Sequence, residues 1–135
     1  MRTTRPIWGP VILALASVSF ACSKSTNSPQ DYVVAYEVTG NAGVHFDSTK
    51  YDDGHGTFIK VMTPSSGWLV SVNAASGGSV EAYAWGTDSS GVQWAKIKAT
   101  WTPSVGSAMS DSSVAASSGA GSGTFTIGIV KRQLP

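Results

Sequence analysis

SVEAYAWGT at residues 79–87 and VQWAKIKATW at residues 92–101, separated by DSSG at residues 88–91, decide how this chain is read. Each run alternates with the period of two that a strand imposes on its side chains. One row carries Val80, Ala82 and Ala84, then Ala95, Ile97 and Ala99. The other carries Glu81, Tyr83 and Trp85, then Trp94, Lys96 and Lys98. DSSG has the Asp, Ser and Gly composition of a tight connection. The sequence therefore predicts a hairpin in which Trp85 faces Trp94, Tyr83 faces Lys96 and Glu81 faces Lys98. On its other face Val80 meets Ala99, Ala82 meets Ile97 and Ala84 meets Ala95. A slip of one residue would mix the two rows, so the register is well specified.

The same period extends upstream. Tyr32, Val34, Tyr36 and Val38 alternate with Val33, Ala35, Glu37 and Thr39, and Gly40-Asn41-Ala42-Gly43 supplies a turn. Val44 and Phe46 open a second strand that ends at Asp52-Asp53-Gly54-His55-Gly56. Residues 57–62 form a third, stopped by Pro64-Ser65-Ser66-Gly67, and Trp68, Val70 and Val72 mark a fourth. Residues 103–123 are rich in Ser, Ala and Gly and have room for a short edge strand in a loop. Phe125, Ile127 and Ile129 close the fold. Helical periodicity is absent outside the leader, and about seven short strands with regular turns point to an all-β, Ig-like antiparallel β-sandwich. The alanine rows need large partners opposite, and Tyr36, Phe46, Trp68 and Phe125 are the candidates.

Residues 1–21 have the parts of an export signal: Arg2 and Arg5, a mostly apolar run from Ile7 to Phe20, and small residues before Cys22. The run is short of the roughly 20 apolar residues that a spanning helix needs. Ala21-Cys22 resembles a bacterial lipoprotein signal, which implies cleavage before Cys22 and lipid attachment (diacylglycerol, palmitate) to its thiol. Ser19-x-Ala21 also suits ordinary signal peptidase. Cys22 is the one cysteine of the 135 residues, and an exported unpaired thiol favours the capped form. The expected organisation is a signal peptide at 1–21, a flexible polar tether at 22–30 and a β-sandwich domain at 31–132. Loss of Arg2 and Arg5 takes the formal charge from +1 to −1, too near neutral for a nucleic-acid partner. The location expected is the cell envelope, outside the cytoplasm, with the membrane engaged through the lipid on Cys22.

Tyr36-Glu37-Val38-Thr39-Gly40, a Trp-bearing strand, Val80-x-Ala82-x-Ala84 and a polar turn before Val92 follow one another in an order that resembles the mycobacterial small membrane protein (MmpS) family and its lipoprotein relatives. The resemblance covers residues 32–101. It implies one Ig-like β-sandwich beyond a membrane anchor and an accessory role beside an export pump, with no catalytic residues to carry over. The chain departs from the family in its lipid-type anchor, in the separation of Pro64 from Trp68, and in lacking a cysteine pair.

Tyr83, Trp85, Trp94, Lys96 and Lys98, with Glu81, are the candidate binding residues, as an exposed aromatic and charged patch on the hairpin. Flat Trp faces also suit sugar rings, so a carbohydrate-binding module is the alternative to the pump accessory. Ordinary cross-strand pairing accounts for the same residues at about 0.2–1 kcal/mol per pair. His45, Asp47, Asp52, Asp53 and His55 lie close in sequence, but the set is read as a polar hairpin tip and no metal is expected. Serines lie in turns without a G-x-S-x-G elbow, and Glu37 and Glu81 are the only glutamates. No enzyme activity and no cofactor are expected.

Overall fold

The computed structural model describes residues 30–89, 93–117 and 123–135. The expected signal peptide at 1–21, Cys22, all but the last residue of the expected tether and the DSSG tip at 90–91 lie outside the described residues. Eight strands follow in order: β1 Asp31–Gly40, β2 Val44–Asp52, β3 Phe58–Met62, β4 Trp68–Ala75, β5 Ser79–Asp88, β6 Gln93–Pro103, β7 Met109–Ser117 and β8 Gly123–Gln133. They form two antiparallel four-stranded sheets, ordered β4-β1-β6-β7 and β3-β2-β5-β8. The chain is a β-sandwich. The Ser-rich stretch after Pro103 contributes a full strand, β7, where the sequence suggested a short piece, and the strand count rises from about seven to eight. Among the described residues no helix is long and apolar enough to cross a membrane.

The connectivity of β1 to β5 is that of strands B, C, C′, E and F in an immunoglobulin sandwich: β1 pairs with β4, and β2 pairs with both β3 and β5. After β5 the path departs. The expected β5–β6 hairpin does not form. β6 crosses to the first sheet and lies beside β1, and β8 takes the place beside β5. Both edges of β5 are occupied, by β2 and β8.

The described residues that flank residues 90–92 are held to their neighbours. Ser89 N–H donates to the Gly43 carbonyl at 2.9 Å, and Trp94 N–H donates to Asn41 Oδ1 at 3.0 Å. Asp88 Oδ1 accepts from Gly123 N–H at 2.6 Å, tying the end of β5 to the start of β8.

Alternation nonetheless predicted which side chains turn inward. Val80, Ala82 and Ala84 are buried in the second sheet, and Ala95, Ile97 and Ala99 in the first. The two rows belong to opposite layers of one core rather than to adjacent strands. Tyr32, Val34, Tyr36 and Val38 fill the middle from β1. The large partners are those expected: Tyr36 and Phe46 are buried, while Trp68 and Phe125 pack against the core from its margin. Phe46 and Phe125 meet edge to face at 5.7 Å, and Tyr51 lies 5.4 Å from Tyr36 and 5.6 Å from Trp68. Such ring pairs contribute about 0.5–1.5 kcal/mol beyond area burial. The Tyr36 hydroxyl is buried without a hydrogen-bond partner among the described residues, and burial pushes its ionisation far above the ordinary tyrosine range despite an opposing effect of the Glu81 backbone. The strand layer runs past the expected limit at 132, and Leu134 is buried.

Two bulges shape the second sheet. Between Phe46 and Ser48 an extra residue, Asp47, enters β2, and its carbonyl accepts from Thr63 N–H at 2.8 Å. The insertion shifts the inward row from even to odd numbers, so Phe46, Thr49 and Tyr51 all face the core and Lys50 faces out. Thr49 spends its hydroxyl on the Tyr83 carbonyl at 2.8 Å. A second irregularity separates Val80 from Ala82 where β5 pairs with β8.

Candidate functional site

The division of β5 and β6 between the sheets splits the expected patch. Trp94, Lys96 and Lys98 stand on the outer face of the first sheet, where Lys98 is flanked by Glu37 and Ser112, and Lys96 by Thr39 and Val114. Tyr83 and Trp85 stand on the outer face of the second sheet, with the whole core between them and Trp94. Glu81 does not face Lys98; its Oε1 accepts from the Tyr83 hydroxyl at 2.5 Å. That bond, with lesser contributions from desolvation and the nearby negative charge, raises the Tyr83 ionisation and keeps the phenol neutral.

The second sheet gathers new neighbours around the aromatic pair. The Tyr83 and Trp85 rings lie 6.0 Å apart and are inclined by only 32°. Gly128 is the residue of β8 opposite Tyr83. A Cβ at Gly128 would come within 2.4 Å of Tyr83 Cδ1, so the ring packs against the bare backbone there. On the other side of β5, Lys50 is opposite Tyr83 and Ser48 is opposite Trp85. Lys60 of β3 is in turn opposite Lys50. Ser48, Lys50, Lys60 and Trp85 line a shallow depression of about 470 Å³. Lys50 Nζ is held 4.2 Å above the Phe58 ring. No carboxylate among the described residues forms an ion pair with Lys50 or Lys60.

Lys50, Lys60 and Gly128 were missed in the sequence. Counting in twos from Phe46 turns Lys50 inward, and only the Asp47 bulge turns it out. Thr49 and Tyr51, on the opposite parity from Phe46, were the available sign of that bulge. A glycine inside the apolar run Phe125–Ile129 was the sign of a close approach.

The His45–His55 cluster resolves into turn chemistry. Asp52 is buried, and its Oδ1 accepts from Gly54 N–H at 2.7 Å and from Gly56 N–H at 3.2 Å, while Oδ2 accepts from Ser79 Oγ at 2.8 Å. Asp53 Oδ1 accepts from His55 N–H and Thr57 N–H, and the His55 bond leads the effects that lower its pKa. Gly54 has φ of 87°, and a Cβ there would meet the Asn73 carbonyl oxygen at 2.2 Å. His45 and Asp47 are exposed and 3.7 Å apart. Among the described residues no group of three or more His, Cys, Asp or Glu is placed to hold a metal ion.

A larger depression, about 710 Å³, opens at the far end of the first sheet between Val33, Asn73, Thr102, Asp31 and His55. Its walls are mostly apolar, and its Tyr32 gives its hydroxyl to the Pro135 carbonyl oxygen. Volume favours this depression; the ordered rings and cations favour the smaller one as the site.

The resemblance of residues 32–101 to the small membrane protein family therefore rests on motif order alone: compared with protein-family models, curated proteins and solved structures, the chain matches none.

Proposed function

We propose that this chain is a non-catalytic binding module of the cell envelope, anchored through lipid on Cys22 and presenting a carbohydrate-binding face. The carrying observation is the Tyr83–Trp85 pair, two half-buried rings 6.0 Å apart and tilted by 32° on the outer face of the second sheet. Flat aromatic faces offer sugar rings apolar contact, and Ser48, Lys50 and Lys60 supply donors at the border. Three of the carboxylates are committed to structure: Asp52 and Asp53 hold a turn, and Glu81 holds the Tyr83 hydroxyl. The export signal and solitary cysteine support the location.

Retention of the full chain on immobilised glycans tests the binding reading. Tyr83→Ala and Trp85→Ala abolish retention if it is right, and an intact chain retained by no glycan ends it. Mass spectrometry of the mature N-terminus tests the anchor, which an unmodified Cys22 defeats. A second reading, an accessory to an export pump, draws on the opposite face, where Leu69 and Val114 stand exposed on the same sheet as Trp94. A pump subunit co-purified from native membranes, and lost with Leu69→Asp, supports that alternative.

A further inference from the structure

We infer that the ligand of the second-sheet face is an acidic saccharide, its carboxylate or sulfate held between Lys50 and Lys60 while a sugar ring stacks on Trp85. The inference rests on the binding reading just given and adds the ligand's charge.

Three observations carry it. Lys50 and Lys60 are direct partners across β2 and β3, an arrangement in which like charges repel and weaken the sheet. Neither is neutralised by an ion pair with a described carboxylate; of the two acids on the adjoining strand, Glu81 is committed to the Tyr83 hydroxyl and Asp88 accepts from Gly123 N–H. The two cations are also positioned: Lys50 is held over Phe58, and both line the depression whose remaining walls are Ser48 and Trp85. A ring resting on Trp85 therefore has an anionic substituent beside two ammonium groups and the Ser48 hydroxyl. An anion there relieves the repulsion between the lysines, which a neutral sugar does not.

An edge lysine can also serve to discourage strand addition, and that role explains Lys60 alone. It does not explain Lys50, which lies on an inner strand with β3 and β5 on either side. Single-stranded nucleic acid shares the liking for rings and cations. The formal charge of −1 after residue 21 provides no extended positive track for a phosphate backbone. The platform is two rings wide, which suits a short run of sugar rings.

The test is affinity electrophoresis of the full chain through gels containing polygalacturonate, alginate or hyaluronate, with methyl-esterified polygalacturonate, neutral xylan and oligo(dT) in parallel. The expected result is retardation by an acidic polymer about tenfold stronger than by its neutral counterpart, weakening as salt is raised. Lys50→Gln and Lys60→Gln each lower the acidic affinity by about fivefold and lower any ester binding far less, so the preference for the acid collapses, with melting curves showing the fold intact. Equal retention of the acid and its ester, with both lysine variants silent, overturns the acidic assignment and leaves glycan binding standing. Retention by no polymer overturns both together. Oligo(dT) bound as tightly as the acidic polymer, and lost with the same lysines, replaces the saccharide with nucleic acid.

Discussion

The two outer faces of the sandwich carry nearly the same residue types and differ in how those residues are arranged. Among the described side chains, each has a tryptophan and two lysines. On the first sheet Trp94, Lys96 and Lys98 sit in single file along β6; Trp94 is 42 % exposed and pairs with no described aromatic ring. On the second sheet the equivalent groups come from three strands. Tyr83 lies on Gly128 beside Trp85, and Lys50 and Lys60 flank them from β2 and β3. Composition is shared; convergence is not. A file of residues along one strand offers a ligand one contact at a time, whereas residues from neighbouring strands surround it.

The most severe test of that contrast compares the tryptophans. Trp85→Ala is expected to lower glycan retention at least about tenfold, or roughly 1.4 kcal/mol, while Trp94→Ala leaves it unchanged. Equal losses from both would erase the distinction between the faces. Gly128→Ala strikes the platform from beneath. Its methyl group must displace the Tyr83 ring, at about 1 kcal/mol in stability by chemical denaturation, with a loss of retention in the same variant. Thr126→Ala, opposite Trp85 on the same strand, is the control that should change neither.

Glu81→Gln sharpens the electrostatics of the same face. Tyr83 ionises above its ordinary value because the carboxylate accepts its hydroxyl proton, so the variant's phenolate absorbance should appear at lower pH. A raised folded-state pKa adds stability that is present below the unfolded value, about 10, and is lost as pH rises through the folded one. The variant's stability should therefore fall less steeply on the alkaline side. An unmoved Tyr83 titration would mean that the Glu81 bond does not hold in solution.

The smallest expected effect is the most direct check on topology. A double-mutant cycle between Trp85 and Trp94 should show coupling no larger than about 0.5 kcal/mol, since the sandwich interior separates them. The hairpin that the sequence suggested would couple them by about 0.5–1.5 kcal/mol.

Much of the fold was legible in the residues. Tyr32, Val34, Tyr36 and Val38, the alanine rows of β5 and β6, and Phe125 and Ile127 all point where period two places them. Burial side is a local property, set by alternation and by the free energy of withdrawing apolar surface from water. The candidate site was half legible: Tyr83 and Trp85 were found, but with the wrong companions. A polar loop between two well-patterned strands reads as a hairpin whether the second strand lies beside the first or across from it. The inward rows are the same in both.

What the sequence determined alone, then, is the strand class and the inward row of nearly every strand. Tertiary structure decided which strands are neighbours. β2 and β8 occupy both edges of β5, and backbone hydrogen bonding leaves a strand only two neighbours in its sheet, so β6 had to pair elsewhere. The Asp47 bulge then turned Lys50 outward, and Gly128 let the Tyr83 ring pack against bare backbone. Partner choice sums contacts over the whole chain, and that sum brought Lys50 and Lys60, rather than Lys96 and Lys98, to the aromatic pair.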